Sequence, residues 1–188
     1  QDADLTRKLY HRAPVLVDER TGKNPWDVSL GTMFHSSGAS GLFRSYDELI
    51  ERGFEIADGN CLANEETRHL PLYEGKMFMQ YDHRAAGVRV KAKNIKRAAL
   101  AEMSSLDQKK DPAYHPVPRF WVDFEHVQES VPDNRGYFIV FKKVTSPTNE
   151  RTLLATVLPL VAANDSIHFV FFPNQTSARE RVAFLANL

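Results

Sequence analysis

The residue pattern predicts an α+β domain with a mixed or mostly antiparallel sheet and flanking helices. Three features point there: aromatic, β-branched runs in the second half, two capping boxes that open helices, and no regular strand–helix alternation. Ser45-Tyr46-Asp47-Glu48 is the first capping box, in which Ser45 accepts from the third backbone N–H and Glu48 reaches back. Leu49 and Ile50 continue that helix, and Gly53 stops it after about two turns. Leu70 to Tyr81 mixes aromatic residues and Met around Gly75 and reads as two extended pieces joined by a turn. Asn94 to Leu106 reads as a helix, with Asn94 as N-cap and Ile95, Ala98, Ala99 and Met103 on one face. Tyr137 to Val144, Thr152 to Val161 and Ile167 to Phe172 are the strand candidates, bounded by Gly136, Pro147, Pro159 and Pro173. Ser177 to Glu180 is the second capping box, and Val182, Phe184 and Leu185 supply the apolar side of a helix running to Leu188.

The length of 188 residues suits one domain, and 43% hydrophobic content suffices for a core, which excludes wholesale disorder. A single cysteine, Cys61, excludes an internal disulfide scaffold and a multi-cysteine zinc site. The longest apolar run, Thr152 to Ala163, is too short for a membrane helix and contains Pro159. The polar, acidic start at Gln1-Asp2-Ala3-Asp4 is no signal peptide, so a soluble cytoplasmic location is expected. The lack of an initiator Met and the ending Ala186-Asn187-Leu188 point to a fragment of a longer chain.

Net charge is zero, but its distribution is uneven. Gln1 to Glu66 holds 7 basic and 12 acidic residues, whereas Arg84 to Lys110 holds 8 basic and 2 acidic. A stripe of this kind can hold a polyanion, or can be a solvated face. The chain has no glycine-rich phosphate cradle and no G-x-S-x-G elbow. Its seven histidines show no H-x-x-x-H pairing, so no metal is expected. Cys61 has no basic neighbour and reads as a small hydrophobe. Asp123 and Glu125, on one side of a possible strand, are the acidic pair a magnesium-dependent nuclease would need, though no E-x-K follows them. Asn24-Pro25-Trp26 lacks the second proline of an amino-methylating turn, and Trp26 is expected in the core.

A series of blocks carries more information. Asn24-Pro25-Trp26 leads to Gly31-Thr32-Met33-Phe34-His35 and Leu42-Phe43-Arg44. Then come Leu70-Pro71-Leu72-Tyr73-Glu74-Gly75-Lys76-Met77 and Gln80-Tyr81-Asp82-His83-Arg84. Arg119-Phe120-Trp121 and Thr148-Asn149-Glu150-Arg151-Thr152 follow, with an apolar run to Leu158-Pro159. The series, from about Asn24 to Leu188, resembles the C-terminal region of adenine-specific N6 DNA methyltransferases of bacterial restriction-modification and phage-defence systems. The Leu-Tyr-Glu-Gly-Lys and Asn-Glu-Arg-Thr blocks are its most specific parts. Members of that family bind S-adenosylmethionine through a Gly-containing loop and carry an Asn-Pro-Pro-aromatic motif, and this chain has neither. The resemblance therefore implies a noncatalytic target-recognition fragment that needs no cofactor of its own, with S-adenosylmethionine bound by the parent. It divides the chain into residues 1–30, an N-terminal extension or linker remnant, and residues 31–188, a target-recognition-like α+β domain. The partners it implies are double-stranded DNA and the methylase core of the parent chain, with no membrane.

Such a fragment must hold phosphates and read base edges. Arg84, Arg89, Lys91, Lys93, Lys96 and Arg97 suit the phosphates. Gln80, Arg84, Arg89, Asn149 and Arg151 are the candidate base readers, because Arg pairs with guanine and Gln or Asn with adenine. Lys76 follows Gly75, where a backbone can approach a phosphate closely. Each also has a structural role open to it: Glu74 and Lys76 can flank a turn, Asp82 can pair with Arg84, and Glu150 and Arg151 can brace a hairpin. A nuclease-like fragment, or a module docking the methylase to partner subunits, is the alternative reading. Recurring blocks in a region that reads many targets should be scaffold, which directs base reading to Arg84 to Pro118.

Overall fold

The computed structural model describes residues 2–12, 15–89, 99–131, 136–173 and 175–188. The first element is helix α1 (Asp2–Arg12), which leaves Leu5 and Leu9 more than half exposed. The chain then packs inward before the expected seam at residue 30: Val28 is buried, and strand β1 (Ser29–Gly31) spans that seam. Helix α2 (Tyr46–Glu51) has the expected capping box, with Ser45 N–H donating to Glu48 Oε2 at 2.7 Å and Glu48 N–H to Ser45 Oγ at 3.3 Å. It stops at Gly53, whose φ of +81° costs a glycine nothing.

Strands β2 (Glu55–Ala57), β3 (Cys61–Ala63) and β4 (Arg68–Tyr73) form an antiparallel meander. A tight turn at Gly75–Met77 follows β4, as the glycine suggested, but the second extended piece expected to reach Tyr81 is not a strand: Gln80 and Tyr81 form a turn closed by the Met79–Asp82 bridge. Among the described residues, strands β5 (Ala86–Arg89) and β6 (Leu100–Met103) pair only with each other, and a short helix α3 (Leu106–Lys110) follows. Strand β7 (Trp121–Asp123) pairs antiparallel with β4 and runs straight into α4 (Phe124–Glu129). Strands β8 (Tyr137–Lys142) and β9 (Ala155–Pro159) form an antiparallel hairpin. Two-residue β10 (Ala162–Ala163) lies parallel to the end of β4, and β11 (Ile167–Phe171) pairs between β8 and β1. Helix α5 (Ala178–Ala186) closes the described chain under its own capping box. Antiparallel pairing dominates and the helices flank, so the fold is α+β.

The main core lies between the two larger sheets. Tyr73, Val88, Phe138, Val140, Leu158, Ile167 and Phe169 come together there, and Phe138 meets Phe169 edge-on at 5.3 Å. Alternation along β8 sends Ile139 to the opposite face, where it meets Val28, Val170, Phe172 and Phe184.

Sequence expectations fail at β6, at α5 and at Trp26. Residues 94–98 of the expected helix lie outside the described residues, and its remainder is strand at Leu100–Met103, because backbone pairing with Ala86–Arg89 overrides the helix preference of Leu-Ala-Glu-Met. On α5, Val182 is 64% exposed and Arg181 takes the inner face instead. Its guanidinium donates to Thr176 O at 2.8 Å and lies 5.7 Å from the Phe172 ring, so the inward stripe is Arg181, Phe184 and Leu185. Trp26 is 39% exposed, packed edge-on against Phe184 at 5.2 Å rather than enclosed.

Candidate functional site

The β5–β6 ribbon stands apart from both larger sheets. Its inner strand is anchored, with Ala86 and Val88 buried and Val88 N–H donating to Val117 O at 2.8 Å. A Cβ on Gly87 would stand 3.2 Å from Val117 backbone atoms, so this close approach depends on glycine. The outer strand is exposed at all four residues. The ribbon opens at the Arg89–Leu100 pair, and the intervening sequence 90–99 carries Lys91, Lys93, Lys96 and Arg97 with no acidic residue. Those four predicted contacts lie outside the described residues. Arg89 is described and exposed, held to Glu102 at 2.9 Å across the ribbon by a pair that water screens.

Lys76, Gln80 and Arg84 have internal work. Lys76 Nζ lies 3.0 Å from buried Glu74 Oε2 and donates to Ala99 O at 2.7 Å, next to the start of β6. The Gly75 backbone is itself engaged: its N–H donates to Ser166 Oγ at 2.7 Å, and a Cβ there would stand 3.1 Å from Ser166 O. Gln80 Oε1 accepts from Ala155 N–H at 2.8 Å. Arg84 donates to the carbonyls of Asp111 and Lys109 at 2.8 Å and of Tyr114 at 3.2 Å, clamping the loop after α3. Asp82 pairs with Lys109 at 2.6 Å rather than with the Arg84 guanidinium. Burial pushes the Asp82 carboxyl up, but the Lys109 hydrogen bond outweighs it with help from the Arg84 N–H, and the net shift is downward. Asn149 and Arg151 lie in the β8–β9 hairpin loop; Arg151 is exposed and Asn149 half-buried.

Among the described residues, the predicted contacts fall on different elements. Arg89 and Lys76 reach the ribbon, Gln80 joins the 79–82 turn to the start of β9, and Asn149 and Arg151 occupy the preceding loop.

Two cavities were not foreseen. One of about 620 Å³ is lined by Arg44, Arg119 and the stacked rings of Phe43 and Phe120, whose centroids lie 5.9 Å apart. The other, of about 490 Å³, gathers His69, His126, Asp123, Glu125, Arg44 and Arg52. His69 stands opposite Asp123 across the β4–β7 pair, is buried edge-on against Phe54 at 4.9 Å, and is kept below its ordinary pKa by that burial. Asp123 and Glu125 do not share a strand face as expected. Asp123 caps α4, with Oδ1 accepting from Glu125 N–H at 2.9 Å and Oδ2 from Thr67 Oγ1 at 3.1 Å, while Glu125 sits in the first helical turn. Among the described residues no three His, Cys, Asp or Glu side chains converge to hold a metal ion. Cys61 is half-buried, and burial pushes its thiol up, away from nucleophilic use.

Lys142 and Tyr81 also escaped the sequence reading. Lys142 Nζ lies 3.4 Å from Met79 Sδ and 5.4 Å from the Phe78 ring, and burial pulls its pKa down. No motif marks it; it is one of two lysines ending an apolar strand. Among the described residues no helix is long and apolar enough to cross a membrane. No family model, curated protein or solved structure matches this chain.

Proposed function

We propose that the chain is a noncatalytic DNA-binding recognition piece of an N6-adenine DNA methyltransferase, working in the bacterial cytoplasm beside its methylase core. The observation that carries this reading is the β5–β6 ribbon, rooted in the core on one strand and exposed on the other, with sequence 90–99 joining its open end. A two-stranded ribbon fits the major groove of B-form DNA, and basic side chains at its end would neutralise flanking phosphates. The order of the Leu-Tyr-Glu-Gly-Lys and Asn-Glu-Arg-Thr blocks supports the same reading. S-adenosylmethionine does not fit this chain, which lacks a glycine-rich loop between strand and helix, and so belongs to the parent's core.

Anisotropy titration of the chain with a labelled 20-base-pair duplex, at low and moderate salt, tests the reading. Binding should weaken steeply with salt, and changing Lys91, Lys93, Lys96 and Arg97 to Glu should flatten the log–log slope by about 0.9 for each lost phosphate contact. Absence of binding at low salt, or a slope indifferent to the four reversals, would refute it.

A further inference from the structure

Among the described residues three non-glycine positions have a left-handed backbone: Asp27 at φ +50°, Asn60 at φ +60° and Tyr81 at φ +59°. Asp and Asn tolerate that region because their short polar side chains can bond to the nearby backbone. Tyrosine has no such compensation, and its bulk makes the conformation costly. Burial does not offset the cost either, since Tyr81 is 53% exposed. Among the described residues its hydroxyl has no hydrogen bond and its ring no aromatic partner.

The surroundings hold the strain in place. Met79 and Asp82 exchange backbone hydrogen bonds at 2.9 and 3.1 Å, which leaves Gln80 and Tyr81 at the tip of a tight turn. Both faces of Ala155 fasten that tip, because Tyr81 N–H donates to its carbonyl at 2.9 Å and its N–H donates to Gln80 Oε1 at 2.8 Å. Glycine or asparagine would form this turn with less strain, so the turn itself does not account for a tyrosine. Lys142 reaches the same turn, Nζ 3.4 Å from Met79 Sδ, and among the described residues it has no carboxylate partner. An exposed ring on a fixed backbone, in a turn whose Met79 meets an ammonium with no carboxylate partner among the described residues, offers the two groups that hold single-stranded or unstacked nucleic acid, an aromatic face for a base and a cation for a phosphate.

We infer that Tyr81 and Lys142 form a contact for DNA in which one base has left its stack, the ring taking the base and the ammonium the adjoining phosphate. The inference rests on the DNA-binding reading and adds to it a site outside the basic stripe. Methyl transfer to adenine requires the target base to leave the duplex, so a bound strand with an open base step is the substrate such a contact would meet.

Two labelled probes test it with the full chain: a paired 20-base-pair duplex, and the same duplex carrying one unpaired 2-aminopurine. The wild-type chain should prefer the second by about tenfold and quench its fluorescence, as expected for one stacked base. Tyr81→Gly and Tyr81→Asn should abolish preference and quenching while Tm stays unchanged or rises by about 2 °C through relief of strain. Tyr81→Phe should keep both, because the ring rather than the hydroxyl is used. Lys142→Gln should weaken both probes and lower the salt slope by about 0.9. Equal binding of the two probes by wild type, or a preference that survives Tyr81→Gly, overturns this contact and leaves the DNA-binding reading standing. No binding to either probe overturns both.

Discussion

Glu74 is 5% exposed yet ionically paired on two sides, with Lys76 Nζ at 3.0 Å and Arg119 Nε at 3.1 Å. Arg119 is itself only 16% exposed in its side chain and lies 5.0 Å over the Phe120 ring, and Lys76 is partly buried, so removing the carboxylate takes an ion-pair partner from two cations that water screens poorly. Glu74→Ala should therefore cost about 3 kcal/mol in urea unfolding, with Glu74→Gln costing less because it keeps a polar acceptor. A loss below about 1 kcal/mol would mean that water reaches the pair. This centre joins two of the sequence blocks, Leu-Tyr-Glu-Gly-Lys and Arg-Phe-Trp. Reading along the chain found both blocks but not their contact, since the ion pair spans 45 positions and no local pattern encodes it. The sequence reading gave Lys76 a phosphate to hold, with flanking a turn as the structural alternative for Glu74 and Lys76, and neither foresaw the two ion pairs that centre on Glu74. Tyr81 was equally hidden, because tyrosine carries no turn signal and its φ is imposed by Ala155 from a distant strand.

Elements with local signals were readable, and those made by pairing alone were not. Both capping boxes form as their spacing predicts, and β8 and β11 follow their aromatic, β-branched runs to within two residues. Three-residue strands such as β2, β3 and β7 carry too few positions to show alternation, and β6 reads locally as helix. The capping boxes have a pH signature. The Ser45 N–H holds the Glu48 carboxyl below its ordinary value, and the Ser177 N–H does the same for Glu180. A depressed folded pKa means the unfolded chain binds the proton more readily. The caps' contribution is thus complete above the ordinary glutamate value of 4.5 and disappears as pH falls through the lower folded values. Thermal melts from pH 7 to pH 3 should show Tm falling below about pH 4.5, and Glu48→Gln with Glu180→Gln, which removes the two titrating carboxylates, should reduce that part of the fall. An unchanged acid limb in the double variant would show that the two carboxylates gain nothing from their caps.

At the scale of the whole molecule, the fold class was legible from composition and run length, whereas the joining of the sheets was not. The segment from Ala162 to Phe171 belongs to both: β10 runs parallel to β4 in one sheet and β11 pairs with β8 and β1 in the other. Phe169, fully buried, packs in the cluster that also holds Tyr73 of β4 and Phe138 of β8, so apolar burial is shared across the seam. Sheets that share a core and the segment 162–171 should unfold together. The two tryptophans allow a direct test, because Trp121 is buried in the β4–β7 sheet with Nε1–H donating to Asn60 O at 2.8 Å, while Trp26 packs beside α5 against Phe184. In a Trp26→Phe background, Trp121 fluorescence and far-UV circular dichroism should give the same urea midpoint. Adding Phe169→Ala, which empties part of the shared core, should lower both midpoints equally, for a loss of about 3–5 kcal/mol. If Phe169→Ala moved the dichroism midpoint and left Trp121 where it was, the sheets would be separate folding units. Charge changes at the β5–β6 ribbon should leave these midpoints in place, since its outer strand is exposed throughout, and so losses of binding there can be read apart from losses of fold.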